Sequence, residues 1–486
     1  VTTMHVGARP AVAPGRLFIG GRWEPAEAEA VRELVDPATG QRATTVAEAG
    51  AGDARRAAAV ALKAFEEGPW PRMSPRERGR ILLRAAELLR QHAEEFALLE
   101  SFNVGKPITL TRRVDIPMAI ETFEYYGNLA AGIEGAVRTP AAPALAYTRR
   151  EPIGVVAAIT PFNFPLVLSS KKIAAALAAG NTVVHKPAAE TPLTALRLAE
   201  VLQEAGLPDG AYNVVTGDAE AGQALVCDPR IAKVAFTGST VVGKRIVVQG
   251  ADTLTRATLE LGGKSANLVF ADADLDAAVP TAVKAFTFNT GQFCMAGSRL
   301  LVERPVYEEV LERLSAACAQ IKVGDPLSEE TMVGPLAGPA HQAKVVSFLE
   351  RARRDGIGVT SAECPDGPGF YVAPTVLTGV DQQSAYVQEE IFGPVLTVQP
   401  FDTEDEAVRM ANGTPYGLAA GLQTRDVSRA HRVAARLDAG TVWVNTWAAM
   451  DISMPIGGYK QSGYGRENGP EGLDEYLQTK SVIVAL

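Results

Sequence analysis

Val155-Val156-Ala157-Ala158-Ile159 runs into Thr160-Pro161-Phe162-Asn163-Phe164-Pro165. A helical stretch from Lys171 to Gly180 then leads to Thr182-Val183-Val184. Two short apolar runs separated by a glycine-stopped helix read as buried strand, helix, buried strand. The alternation continues downstream. Thr191-Pro192 opens a helix that closes at Gly206 with Pro208 behind it, Asn213–Val215 is the next strand, and a short helix covers Ala221–Val226. Strand Val234–Phe236 then enters a helix from Ser239. Strands that are apolar on both faces and alternate with capped helices predict a parallel α/β sheet covered on both sides, of the Rossmann-like kind. Ligands of such sheets bind beyond the carboxyl ends of the strands. The polar residues at those ends are therefore the first candidates for a site.

Upstream, Ala54 to Gly105 carries a helical pattern. Ser74, Pro75 and Glu77 read as N-cap, first helical position and capping box. Behind them Ile81, Ala85, Leu88, Leu89, His92 and Phe96 keep a 3.6-residue spacing, as a scaffold helix would. A second α/β region runs from about 262 to 458, with helices over Pro305–Ile321, Glu404–Asn412 and Val427–Leu437. Its apolar strands are Leu300–Val302, Val395–Val398 and Thr441–Val444. The stretches 132–150 and 474–486 read as an extended ribbon and tail, either oligomer contacts or edge strands of the same subunit.

Composition narrows the function. The chain has 486 residues, 47% hydrophobic and 21% charged, with a net charge of −9. That balance excludes a basic nucleic-acid footprint, and the apolar fraction excludes disorder. Four cysteines (Cys227, Cys294, Cys318 and Cys364) show no CxxC pair, and with five histidines they build neither a disulfide framework nor a metal site. A reducing cytoplasm is expected. Residues 1–16 lack the apolar core of a secretory signal. The uncharged run Pro152–Ser170 has the length of a membrane span, but Pro161 and Pro165 interrupt it.

Three motifs carry candidate chemistry. In Phe236-Thr237-Gly238-Ser239-Thr240-Val241-Val242-Gly243-Lys244 a strand meets a helix at a glycine, which offers N–H groups and a positive dipole end to a phosphate. Arg245 stands where a P-loop needs Ser or Thr for magnesium, so nucleotide hydrolysis is excluded. In Asn289-Thr290-Gly291-Gln292-Phe293-Cys294 a cysteine follows a glycine turn and is expected to be accessible and to ionise readily. Cys227, Cys318 and Cys364 read as buried small hydrophobes. In Glu260-Leu261-Gly262-Gly263-Lys264-Ser265 the carboxylate is either a capping or ion-paired group, or a base with a raised pKa.

Their joint occurrence decides among these readings. Asn163 in its loop, Lys186-Pro187, the glycine turn at 238, the Glu260 motif and the Cys294 motif come in one order. Glu390-Ile391-Phe392-Gly393-Pro394 and Gly457-Gly458-Tyr459-Lys460-Gln461-Ser462-Gly463 follow. This series resembles the aldehyde dehydrogenase superfamily, from Gly21-Arg22-Trp23 to the tail. The resemblance implies an oxidoreductase that turns an aldehyde into a carboxylic acid through a thiohemiacetal and a thioester. It implies Cys294 as nucleophile, Asn163 in the oxyanion hole, Glu260 as hydrolytic base, and Lys172 with Glu467 as a proton-relay pair. For a dinucleotide it implies Thr160, Pro161, Lys186, Ala189, Gly238, Ser239, Glu390 and Phe392. Residues 1–131 and 151–261 would then form the dinucleotide domain and 262–458 the catalytic domain. The ribbon and tail would join a homodimer or homotetramer. The alternatives are a catalytically silent relative acting as a binding subunit, or a weak thiol esterase.

Two departures bear on specificity. Many NAD-specific relatives carry Glu where this chain has Ala189, so both NAD and NADP are expected to serve, NAD somewhat better. Where many relatives place a tunnel Trp, this chain has Lys171, either facing substrate or snorkelling to solvent. Phe164, Phe288, Phe293 and Trp447 would line an aromatic entrance or pack in the core. The expected substrate is an aldehyde with an anionic or aromatic portion, and cationic betaine aldehyde is disfavoured.

Overall fold

The computed structural model describes residues 9–486. Residues 1–8, and with them half of the segment read above as lacking a signal, lie outside the described residues. Five parallel strands form the centre of an eight-stranded sheet, in the order Tyr212–Val214, Thr182–Lys186, Val155–Ile159, Ile231–Thr237, Arg256–Glu260. The chain starts in the middle at Val155–Ile159, winds outward to one side, then returns to wind the other way. That reversal puts the loop after Ile159 and the loop after Thr237 side by side, where an open α/β sheet forms its ligand crevice. The antiparallel hairpin Leu17–Ile19 and Arg22–Glu24 closes one edge, and Gly463–Tyr464 closes the other.

Helix starts departed from the sequence reading where proline was involved. The helix expected from Lys171 begins at Pro165 and ends at Gly180, which has a φ of 96°. Pro is tolerated in the first helical turn, where its missing N–H has no intrahelical partner to lose. Nearly the whole of this helix is buried, because helices pack on it from both sides. The long pattern between 54 and 105 resolves into Ala51–Glu66, Pro75–Gln91 and Ala93–Val104. The capping box is formed: Ser74 Oγ accepts the Glu77 N–H, and the Glu77 carboxylate accepts the Ser74 N–H.

A second, seven-stranded sheet runs Gly358–Ser361, Thr375–Thr378, Val395–Phe401, Arg299–Glu303, Ala266–Val269, Ala419–Gln423, Thr441–Val444. All neighbours are parallel except the first pair. The helices Leu275–Thr287 and Pro339–Arg354 in this half had gone unread. The ribbon and the tail pair with each other: Ala144–Pro152 lies between Val137–Arg138 and Leu477–Ala485 in a three-stranded antiparallel sheet. Among the described residues no helix is long and apolar enough to cross a membrane. No group of three or more His, Cys, Asp and Glu among them could hold a metal ion.

Candidate active site

The parallel register sets Thr237 opposite Glu260 at the carboxyl end of the first sheet. Lys172 reaches this edge from the buried helix Pro165–Ala179 and donates to Thr237 Oγ1 at 2.6 Å and to Glu467 Oε1. Glu467 is placed by the short antiparallel bridge between its backbone and Ile456. Lys172, Glu467 and Glu260 therefore form one buried cluster. Oε1 of Glu260 and Oε2 of Glu467 have no hydrogen-bond partner there. Burial, then the nearby Glu467 charge, pushes the Glu260 carboxyl well above the ordinary carboxylate range, against the pull of Lys172 and Lys171. The motif Gly457–Gly463 holds the loop after Glu260: the Leu261 N–H donates to the Ser462 carbonyl at 2.9 Å, and Ser462 Oγ donates to the Gly262 carbonyl at 2.7 Å.

The second sheet delivers Cys294 from its amino end, just before Arg299–Glu303. Asn289 (φ 50°), Thr290 (φ 56°) and Gly291 (φ 70°) make a left-handed turn. At Gly291 a Cβ would collide with the Gly393 carbonyl, so glycine is required for the turn to dock on the Glu390–Pro394 motif. Two hydrogen bonds tie this turn to the first sheet's loop: Asn163 Nδ2 to the Gln292 carbonyl and Asn289 Nδ2 to the Asn163 carbonyl, each 2.8 Å. One N–H of the Asn163 amide remains for an oxyanion beside Cys294. Gly263 lies so close to the Cys294 carbonyl that any side chain would strike it.

The resting state of Cys294 differs from the expectation. The side chain is only partly exposed, and burial, then Glu390 and Glu260, push its thiol up to about 12. Lys171 and the Met295 N–H oppose this. A glycine turn signals access locally, but the carboxylates brought in by the fold set the charge balance. Of the other cysteines, Cys318 is buried as read, whereas Cys227 and Cys364 are exposed. Cys227 caps a helix end and Cys364 lies in a loop, so neither position offers a core to enter.

A cavity of about 170 Å³ joins the two halves. Pro161, Asn163, Gly238, Ser239, Cys294, Glu390 and Phe392 of the expected residues line it. The Gly238 N–H is not free for a phosphate, as it donates to the Glu260 carbonyl at 3.0 Å. Ser239 instead caps the helix Thr240–Gly250 by accepting the Val242 N–H, leaving the helix start facing the cavity. Glu390 accepts the Gly263 N–H at 2.9 Å, and burial pushes its carboxyl up to about 7. Phe162, His341 and Lys344 also line the cavity and were missed. His341 donates through Nε2 to the Phe392 carbonyl at 2.6 Å and packs with Phe162 and Phe392 as an aromatic cluster. The only local signal of His341 and Lys344 was an i, i+3 pair after Gly338-Pro339, which marks a helix and no chemistry. A larger recess of about 490 Å³, beside Trp23, Leu99 and Leu196, contains none of these groups.

The remaining expected residues sit around the cavity. Lys186 ends its strand buried, donating to the Pro187 carbonyl at 2.8 Å and the Gly217 carbonyl at 2.6 Å, and burial lowers its amine to about 8. Ala189 is buried beside it, while Glu190 is exposed. Thr160 is turned inward, 2.9 Å from His185 Nε2. Lys171 is 4% exposed, which removes the snorkelling reading: its charge acts on Glu467, Cys294 and Glu260 instead of on solvent. Phe164, Phe288 and Phe293 form one cluster with centroid separations of 5.4 to 6.0 Å. Trp447 lines no entrance. It is fully buried and its indole donates to the Met295 carbonyl at 3.1 Å, bracing the loop that carries Cys294 from below.

Comparison with known proteins agrees with the fold. The model of the aldehyde dehydrogenase family matches residues 23–482. The chain therefore belongs to the aldehyde dehydrogenase family, and it is an enzyme that oxidises an aldehyde. It is similar to DhaS of Bacillus subtilis (strain 168), with 44% identity over 97% of this chain and 96% of that protein. The aldehyde dehydrogenase of Bacillus cereus in its NAD+ complex is 43% identical, with 97% of each chain covered and a TM-score of 0.96. A point mutant of betaine aldehyde dehydrogenase from Staphylococcus aureus, solved with NAD+ and a BME-modified cysteine, is 37% identical. Its TM-score is 0.95, again with 97% of each chain covered.

Proposed function

We infer that this aldehyde dehydrogenase works with NAD+ through a covalent Cys294 intermediate and a hydrolytic release. One observation carries the reading. Cys294, the Asn163 amide, Glu390 and the start of helix Thr240–Gly250 share one cavity, with the Glu260 carboxylate, its Oε1 unpartnered, buried behind it. That cavity suits a dinucleotide: an aromatic wall at Phe162 and Phe392, a helix start for pyrophosphate, and Glu390 and Lys344 for ribose hydroxyls. Bound NAD+ supplies a hydride acceptor. The Cys294 thiol, partly exposed in the cavity, gives its proton to solvent water, and its sulfur adds to the aldehyde carbon. The Asn163 amide and the Cys294 N–H hold the resulting oxyanion. The carbon then gives up its hydride and becomes a thioester. Glu260 in its ionised form takes a proton from water, the hydroxide adds, and the carboxylic acid leaves with Cys294 restored. The Lys172–Glu467 pair carries that proton away from Glu260. A reducing cytoplasm, where the thiol stays free, is the proposed location.

The finer readings belong here as well. Ala189 puts no carboxylate against a 2′-phosphate, while Glu190 lies close enough to act on Lys186, so NAD is proposed as the better cofactor and NADP as a second. Val137, Ile483 and Leu486 leave the three-stranded sheet apolar and exposed, which supports assembly into a homodimer or homotetramer. Deleting 481–486 is expected to shift elution to a smaller species. Lys171, buried beside the nucleophile, favours an aldehyde with a distal carboxylate, and the aromatic cluster favours an aryl group. The Staphylococcus aureus relative is named for a cationic substrate, so the test is a panel of propanal, benzaldehyde, succinic semialdehyde and betaine aldehyde. Lys171→Met is expected to raise KM for succinic semialdehyde about tenfold, the worth of one charge-assisted contact, and to change propanal little. Equal effects on both, or betaine aldehyde as the best substrate, would remove this reading.

A further inference from the structure

Behind the aromatic cluster lies a second ionic group, wholly sealed from solvent: Glu100, Lys106 and Asp115 all have side chains of 0% exposure. Lys106 pairs with Asp115 and stands 3.8 Å from Glu100 Oε1. Oδ1 of Asp115 has no partner. Burying three charges for a single close ion pair contributes little to stability, since desolvation offsets the attraction. The cluster's reach into the site is more telling. Lys106 Nζ lies 3.8 Å from the centroid of the Phe164 ring, well within the range in which a desolvated cation is held by an aromatic face. Glu100 Oε1 accepts the Leu166 N–H at 3.3 Å and Oε2 accepts the Thr194 hydroxyl at 2.9 Å, tying the starts of two helices together.

Phe164 and Leu166 flank the turn that enters helix Pro165–Ala179, and Asn163 immediately precedes them. The ring of Phe164 stacks on Phe288 and meets Phe293 edge-on, while Asn163 is hydrogen bonded to the nucleophile loop. The geometry points to Lys106 as a positioning residue for aldehyde oxidation: through Phe164, and with Glu100 on Leu166, it holds Asn163 and the aromatic floor in register with Cys294. It touches no reacting atom. Small displacements of an oxyanion donor cost rate steeply, so a cation gripping the neighbouring ring reports on turnover more than on folding. The inference rests on the roles proposed for Asn163 and Cys294.

A mutant cycle tests it, with benzaldehyde and NAD+ as probes and the pre-steady-state burst of NADH as readout. Lys106→Met with Asp115→Asn removes the close ion pair without stranding either of its charges, and Glu100, whose carboxyl burial raises to about 7, keeps its Leu166 and Thr194 donors. The burst is expected to slow about tenfold, which is about 1.4 kcal/mol, with the KM for NAD+ unchanged. In a Phe164→Leu background the same pair of changes is expected to slow it less than twofold, because the ring through which Lys106 acts is gone. Lys106→Arg, which keeps a cation, is expected to retain the burst within threefold. Equal slowing in both backgrounds would overturn the proposal. Should the Met/Asn pair fail to fold, Lys106→Gln with Asp115→Asn, whose amides can bond one another, carries the same comparison. Failure of both pairs to fold would place Lys106 in the scaffold and also overturn the proposal. Cys294→Ala runs beside them: oxidation surviving there would overturn the covalent reading itself, whatever the cycle shows.

Discussion

The two parallel sheets are nearly equal in size, yet they serve the site from opposite ends. In the first, Asn163, Lys186, Gly238 and Glu260 all stand at or just past the carboxyl ends of strands. In the second, Gly263, Cys294 and Phe392 all come just before strands begin. The carboxyl ends of that sheet are closed by polar knots instead. There Asp272 accepts the Thr424 hydroxyl, the Arg425 and Asp426 N–H groups and Arg429. Head-to-tail placement of two sheets makes one cavity from two kinds of end. The first supplies helix starts and buried charge, and the second supplies a loop whose left-handed turn can press close to a neighbour. The common rule for open sheets finds only the first half.

Each half can be broken separately. The largest effect is expected at the second sheet's end. Cys294→Ala should lower aldehyde oxidation on the order of 10⁴-fold or more, as removal of a covalent nucleophile does, while NAD+ still quenches protein fluorescence. Binding lost together with activity would mean that the two ends do not work separately. A smaller effect is expected at the first sheet's end. Ala189→Glu returns a carboxylate next to Lys186, and repulsion of about 1–2 kcal/mol at a partly solvated site should lower catalytic efficiency with NADP roughly tenfold. Efficiency with NAD should hold within about threefold. A wild type that already rejects NADP would contradict the argument from the missing carboxylate.

Much of this was legible in the residues, and the misses have physical causes. The strand–helix alternation from Val155 to Gly250 was clear, because a sheet buried on both faces needs continuous apolar strands. The start of helix Pro165–Ala179 was hidden because proline reads equally as a breaker and as a first-turn residue. The motif at Cys294 located a cysteine that lines the cavity but misjudged its proton, since Glu260 and Glu390 reach it only through the fold. Lys171 read equally as a substrate contact or as a cation snorkelling to solvent, and only the fold, which buries it with Glu467 and Glu260 nearby, removes the second reading. Trp447 was left between entrance and core, because a large ring beside a motif serves equally well as lining or brace, and the structure puts it in the core. His341 and Lys344 carried no chemical signal of their own. Only the docking of their helix against Phe392 and Glu390 brings them to the cavity.

The division of labour proposed for the two ends has Cys294 forming the bond to substrate and Glu260 releasing it. Glu260→Gln, mixed rapidly with benzaldehyde and NAD+ and then quenched for intact mass, tests it most directly. The account predicts a full NADH burst, an acyl group retained on Cys294, and steady-state turnover lowered about 10²–10³-fold, the worth of a general base. In the wild type, steady-state turnover should rise with pH through the raised pKa of the Glu260 carboxyl, because only the ionised form accepts a proton from water. That limb should disappear in the variant. Burst and steady state falling by the same factor, with no acyl group on Cys294, would contradict the account.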